Sequence, residues 1–198
     1  GIDFVEVPVA LDGITVVVHP ENDWASCVTT GELEKIWRPN STVDQWSDVR
    51  DGWPDRALTL FGPGTASGTF DYFTEAIMGE EDASRSDYSA SEDDNVILMG
   101  VGNNAGALGY FGFAYYVENQ DRVRALAIDD GDGCVEPTRE NVEAGEYQPL
   151  SRPLFIYVKR SSYENEPVVR EFVDFYLDSA AELVPQVGYV AFPQARYD

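Results

Sequence analysis

Apolar and β-branched residues crowd positions 5–18, a run that reads as extended chain interrupted at Leu11-Asp12-Gly13. Thr29 stands three residues before Glu32, the spacing of a capping box. Leu33, Ile36 and Trp37 follow at helical intervals, and Pro39 ends that run. Residues 58–61 predict a short strand broken by Gly62-Pro63-Gly64. A helix is predicted over 68–78, with Phe70, Phe73 and Ile77 on one face and Gly79 as its stop. Ser91 is placed to cap another helix through Val96, Ile97 and Val101. Residues 107–110, 123–128 and 153–158 read as strands, and Asn141 falls in a short helical segment. The last long helix is predicted over 167–178, with Val169, Phe172, Val173 and Tyr176 in register. Strands alternating with helices predict an α/β fold.

Charge changes the picture more than length does. The 198 residues suit one domain or two small lobes, and carry 36 acidic against 13 basic residues, a net charge of −23. Such a field repels nucleic-acid backbones and anionic membrane surfaces, so neither is an expected partner. Disorder does not explain it, because acidic disordered chains lack aromatics and this chain has 10 Phe, 11 Tyr and 4 Trp. A fold that tolerates this self-repulsion is expected in concentrated salt, where screening is short-ranged.

The candidate chemistry sits at Phe61-Gly62-Pro63-Gly64-Thr65-Ala66-Ser67-Gly68-Thr69-Phe70, a strand end, a small-residue loop and a helix start. That order points backbone N–H groups and a positive helix end at one spot, which suits a phosphate-sized anion. The segment lacks the Gly-Lys-Ser/Thr ending of a Walker loop and the glycine spacing of a nucleophile elbow. An ordinary helix cap has the same local sequence. Two cysteines, Cys27 and Cys134, allow either buried thiols or one disulfide, and His19 is the single histidine, so zinc spacing is absent. Asp129, Asp130 and Asp132 read as an acidic turn, because the twelve-residue calcium loop is not matched. Asp93 and Asp94 read as helix caps, and Trp37, Trp46 and Trp53 as packing residues.

The stretch from Ser67 to Ile77 resembles the signature of the periplasmic phosphate-binding proteins (PstS/SphX type) of ABC importers. Other segments are similar to the same family in the same order. They include Val9-Ala10-Leu11-Asp12-Gly13-Ile14, Arg85-Ser86-Asp87-Tyr88, Leu108-Gly109-Tyr110-Phe111-Gly112 and Pro149-Leu150-Ser151-Arg152-Pro153-Leu154. The resemblance implies a type II periplasmic-binding-protein-like fold, two α/β lobes joined by crossing strands and closing on one phosphate. Residues 1–13 would belong to the first lobe as a crossing segment, 14–152 to the anion-binding second lobe, and 153–198 to the first lobe again. Ser67, Gly68 and Thr69 would supply phosphate donors. Many members carry an arginine four residues before that serine, where this chain has Pro63, and Arg85 is the candidate replacement. The family's other phosphate loop, and its aspartate that takes a proton from the ligand, have no match here. The contexts of Cys27 and Cys134 resemble paired cysteines of a subset of the family, which implies a disulfide.

The expected function is capture of inorganic phosphate outside the cytoplasm for the membrane subunits of an ABC permease, with lipid anchoring a further expectation. No cofactor, metal or catalytic residue is required, and a monomer is expected. A phosphoester hydrolase is the alternative, and would need a nucleophile with its base or a metal cluster. An anion sensor or surface protein on the same fold is a third reading.

Overall fold

The computed structural model describes residues 1–197; Asp198, the last residue of the 153–198 segment, lies outside the described residues. The chain runs β1 (Phe4–Val18), β2 (Cys27–Thr29), α1 (Thr30–Trp37), α2 (Trp46–Val49), β3 (Thr59–Gly62) and α3 (Gly68–Met78). It continues through β4 (Ser89–Ala90), α4 (Asp94–Gly102), β5 (Ala107–Gly112), α5 (Phe113–Glu118), β6 (Arg124–Ala125), β7 (Ala127–Asp129), β8 (Cys134–Val135) and α6 (Arg139–Ala144). It ends with β9 (Ser151–Lys159), α7 (Arg160–Asn165), α8 (Pro167–Gln186) and a 3-10 turn (Gln194–Arg196).

The interruption expected at Leu11-Asp12-Gly13 is a change of partner inside one strand. Residues from Phe4 to Gly13 pair antiparallel with β9, and those from Ile14 to Val18 pair antiparallel with β5. The chain keeps its extended backbone because each stretch finds a ladder of its own. The main sheet has the order β4-β3-β5-β1-β6, with β9 on the outer stretch of β1, and a second sheet has the order β2-β7-β8. The inner stretch of β1 is buried without a break from Gly13 to Val18, as befits a strand covered on both faces.

Three boundaries differ from expectation. Of the two expected caps of α4, Asp93 takes the role and Ser91 does not: the Asp93 carboxylate accepts from the Asn95 N–H at 2.9 Å, while Ser91 Oγ accepts from the Asp93 N–H. The strand expected over 123–128 is two strands in two sheets, because the Leu126 N–H turns to donate to the Val16 carbonyl at 2.9 Å. The last helix runs on to Gln186, since Ala180 and Val184 extend the buried stripe begun at Val173.

Cys27 and Cys134 form a disulfide with Cα atoms 6.0 Å apart, tying the start of β2 to β8. Closing a sequence separation of 107 residues contributes about 4–5 kcal/mol in the chain-entropy account. Thr29 and Glu32 make the reciprocal capping box that starts α1. Trp37 and Trp46 are fully buried, and Trp53 packs edge-on to Trp46 at 5.4 Å. Asp129 turns its carboxylate inward to accept from the Gly131 and Gly133 N–H groups. Along β9 and α8, by contrast, Phe155, Tyr157, Val168, Phe172, Phe175 and Leu183 stay exposed. No helix among the described residues is long and apolar enough to cross a membrane.

Candidate functional site

Strand β3 delivers the loop 63–67 to the start of α3, and an aromatic block holds that junction. The rings of Phe73, Tyr88 and Tyr110 meet Trp37 edge-on at 5.8, 5.2 and 5.0 Å, and Phe73 stacks on Tyr110 at 3.8 Å. Gly62 lets the strand end pack closely here, where a Cβ would lie 3.0 Å from the Tyr110 ring. The Tyr88 hydroxyl donates to the Pro63 carbonyl at 2.7 Å. On the other side, the Glu92 carboxylate accepts from the Ala66 N–H at 3.3 Å and occupies the space that a side chain on Gly64 would need.

Accounting for the first N–H groups of α3 shows what is available to a ligand. Ser67 is the N-cap, and its Oγ accepts from the Thr69 N–H at 3.2 Å. The Phe70 and Asp71 N–H groups donate to the Ser67 carbonyl at 2.9 and 3.2 Å. The Gly68 N–H is left without a partner among the described residues, and a Cβ on Gly68 would meet nothing within 4 Å. The Ser67 hydroxyl, accepting at its oxygen, keeps its own proton as a donor. These groups converge at the positive end of an eleven-residue helix. The open space beside Gly68 belongs to a cleft of about 430 Å³, whose walls include Gly68, Thr69, Asp12, Asp94, Tyr115 and Arg152.

Ser67, Gly68 and Thr69 are thus together; Arg85 is elsewhere. Its side chain is 9% exposed and lines a separate cavity with Val43, Asp44, Thr59, Asp87 and Tyr88. One guanidinium nitrogen donates to the carbonyls of Ile36 and Val43 at 3.1 and 2.9 Å, and the other two nitrogens grip the Asp87 carboxylate at 2.6 and 2.8 Å. Arg85 therefore ties the end of α1 to the loop before β4. Its backbone N–H donates to the Trp37 carbonyl and its side chain to the Ile36 carbonyl, so both ends of the residue are fastened to α1.

The arginine that does face the cleft is Arg152, at the start of β9. It stands opposite Asp12 in the β1–β9 register, with Nε 3.7 Å from the Asp12 carboxylate. Its guanidinium carbon lies 3.9 Å from the centre of the Tyr72 ring of α3. The Tyr72 hydroxyl donates to the Pro149 carbonyl at 2.7 Å, and burial pushes its pKa well above the usual tyrosine value, so it stays a donor. Burial also pushes the Asp12 carboxyl up, against the opposing pull of Arg152 and the Gly13 N–H. Asp94 is raised by burial and by the neighbouring Asp93. Sequence reading passes over this arrangement because Asp12 and Arg152 are far apart in the chain. The usable signal is the Pro149-Leu150-Ser151-Arg152 block, which carries a cation onto the strand that crosses beside α3.

Comparison with known proteins agrees with this architecture. The family model of the PBP superfamily domain matches residues 1–180. A crystal structure described as a possible phosphate binding protein from Planctomyces limnophilus is 50% identical, with a TM-score of 0.93 over 100% of this chain and 70% of that one. Protein SphX of a Synechocystis species is 49% identical over 98% of this chain, and the phosphate-binding protein PstS of Staphylococcus haemolyticus is 37% identical over 99% of it. The chain spans 59% and 60% of the length of these two relatives. With a model match over nearly the whole chain and half of all residues shared with a solved relative, this chain belongs to the PBP superfamily, in its PstS/SphX branch.

Proposed function

We propose that this chain is the main part of an extracytoplasmic receptor that captures inorganic phosphate and hands it to the membrane subunits of an ABC importer. The observation that carries the reading is the open, glycine-floored end of α3, where Gly68 and Thr69 line a cleft beside the two crossing strands and Ser67 caps the helix. Oriented N–H groups in such a cleft act at contact distance, where salt screens little, so a net charge of −23 does not forbid an anionic ligand. The names of the relatives, SphX and the phosphate-binding protein PstS, support the same ligand. Residues 1–13 and 153–198 act as the first-lobe side of a two-lobe receptor, and 14–152 as the anion-binding lobe. The acidic shell suits a saline exterior, and the receptor works as a monomer without a cofactor.

Titration calorimetry of the full chain with inorganic phosphate in concentrated potassium chloride tests this reading, alongside an assay with a chromogenic phosphoester. Saturable binding without turnover is expected. Turnover, or no binding, would overturn it.

A further inference from the structure

The phosphate reading leaves a charge problem. Position 63 is proline, and Arg85 is committed to Asp87 and to two buried carbonyls. We propose that Arg152 is the cationic residue of this site, presenting its guanidinium fork to the anion held at Gly68 and Thr69; the proposal rests on the phosphate reading above.

Three observations carry it. First, Arg152 shares one cleft with Gly68 and Thr69, although it comes from β9 and they come from α3. The two are held in register by Tyr72, which lies four residues beyond Gly68 on α3. Its ring carries the guanidinium and its hydroxyl binds the Pro149 carbonyl just before β9. A cation stacked on a ring that belongs to the anion-binding helix keeps its place relative to that helix.

Second, Arg152 has donors to spare. Its Nε is buried and makes no hydrogen bond among the described residues, and its only carboxylate partner there, Asp12, is 3.7 Å away, beyond hydrogen-bond distance. Its two terminal nitrogens make no hydrogen bond among the described residues either, and with the side chain 39% exposed they are the pair that can meet two oxygens of an oxyanion.

Third, the cleft needs a cation. Asp12, Asp94 and Glu118 line it together with Arg152 as its one basic side chain. Without that arginine a phosphate would meet the helix end and three carboxylates; with it, positive charge lies beside the donors.

The test is calorimetric titration of the full chain with inorganic phosphate at one salt concentration. Arg152→Gln is expected to weaken binding by about 10–100-fold, the range for losing charge-assisted hydrogen bonds. The ligand-free melting temperature is expected to stay close to that of the unchanged protein, which a merely structural role would not allow. Arg152→Lys keeps the charge and loses the fork, and is expected to recover part of the affinity. Arg139→Gln removes the same charge from a different cavity and is expected to leave binding unchanged. If Arg152→Gln does not fold, Arg152→Met, which keeps an apolar stem against Tyr72, replaces it with the same expectation. Undiminished affinity in the folded variant would overturn the role of Arg152 and leave the phosphate reading standing. Failure of the unchanged protein to bind phosphate would overturn both.

Discussion

Arg85 and Arg152 are the same residue in two regions that use it differently. Around Arg85 the protein supplies acceptors for all three guanidinium nitrogens: the carbonyls of Ile36 and Val43 and both oxygens of Asp87. Around Arg152 it supplies an aromatic face and one distant carboxylate, and leaves Nε unpaired. The first arginine is consumed in joining the end of α1 to the loop before β4. The second is positioned by stacking, which is weaker and leaves the planar donor edge uncovered. An arginine's burial therefore says little about its role; the number of donors already spent says more.

The largest expected effect is on folding stability at Arg85. Arg85→Met should cost about 2–4 kcal/mol in urea unfolding, because two buried carbonyls lose a charged donor at once. A loss no larger than that of Arg152→Gln would break the contrast. Ser67→Ala comes next: removing the α3 cap should cost about 1 kcal/mol and weaken phosphate binding as well, measured by unfolding and titration on the same samples. Arg152→Gln should cost less than about 1 kcal/mol of stability, since it forfeits one ring contact and a long ion pair.

The smallest effect is a difference in the sign of pH dependence. The hydrogen bond and charge of Arg85 hold the Asp87 carboxyl below its ordinary 3.8, so its stabilising contribution is present above that value and is lost as pH falls through the lower folded value. Burial outweighs Arg152 and raises the Asp12 carboxyl above 3.8, so ionising it costs stability as pH climbs from 3.8 through the raised value. Asp87→Asn should then lower stability near neutral pH, and Asp12→Asn should raise it, with both differences vanishing in strong acid. Urea titrations across that range check this, and effects of equal sign would show that the two carboxylates are not differently placed.

Local elements were largely legible in the amino-acid order. The capping box at Thr29 and Glu32, the helix from Gly68 to Met78 with its left-handed Gly79, and the small-residue loop before it are all decided by neighbours within a few positions. The errors lay where a distant partner decides. Leu11-Asp12-Gly13 looks like a break because nothing local shows that β9 and β5 take turns on the same strand. Residues 123–128 look like one strand because the pull of the Val16 carbonyl on Leu126 is not written in that segment.

The candidate site divides along the same line. Ser67, Gly68 and Thr69 could be read from sequence because a helix start makes its own donors, whatever surrounds it. The cation could not, because a guanidinium reaches several ångströms and its target depends on which strands cross beside it. Sequence by itself determined the α/β succession, the acidic surface and the donor loop, all properties of short windows or of composition. The Cys27–Cys134 bond is the one the family resemblance implies, but only the tertiary structure decided that Arg85 turns back to α1 and that Arg152 crosses to the cleft. Those outcomes depend on β1 serving two ladders at once, and chain order alone does not encode which residues that crossing brings face to face.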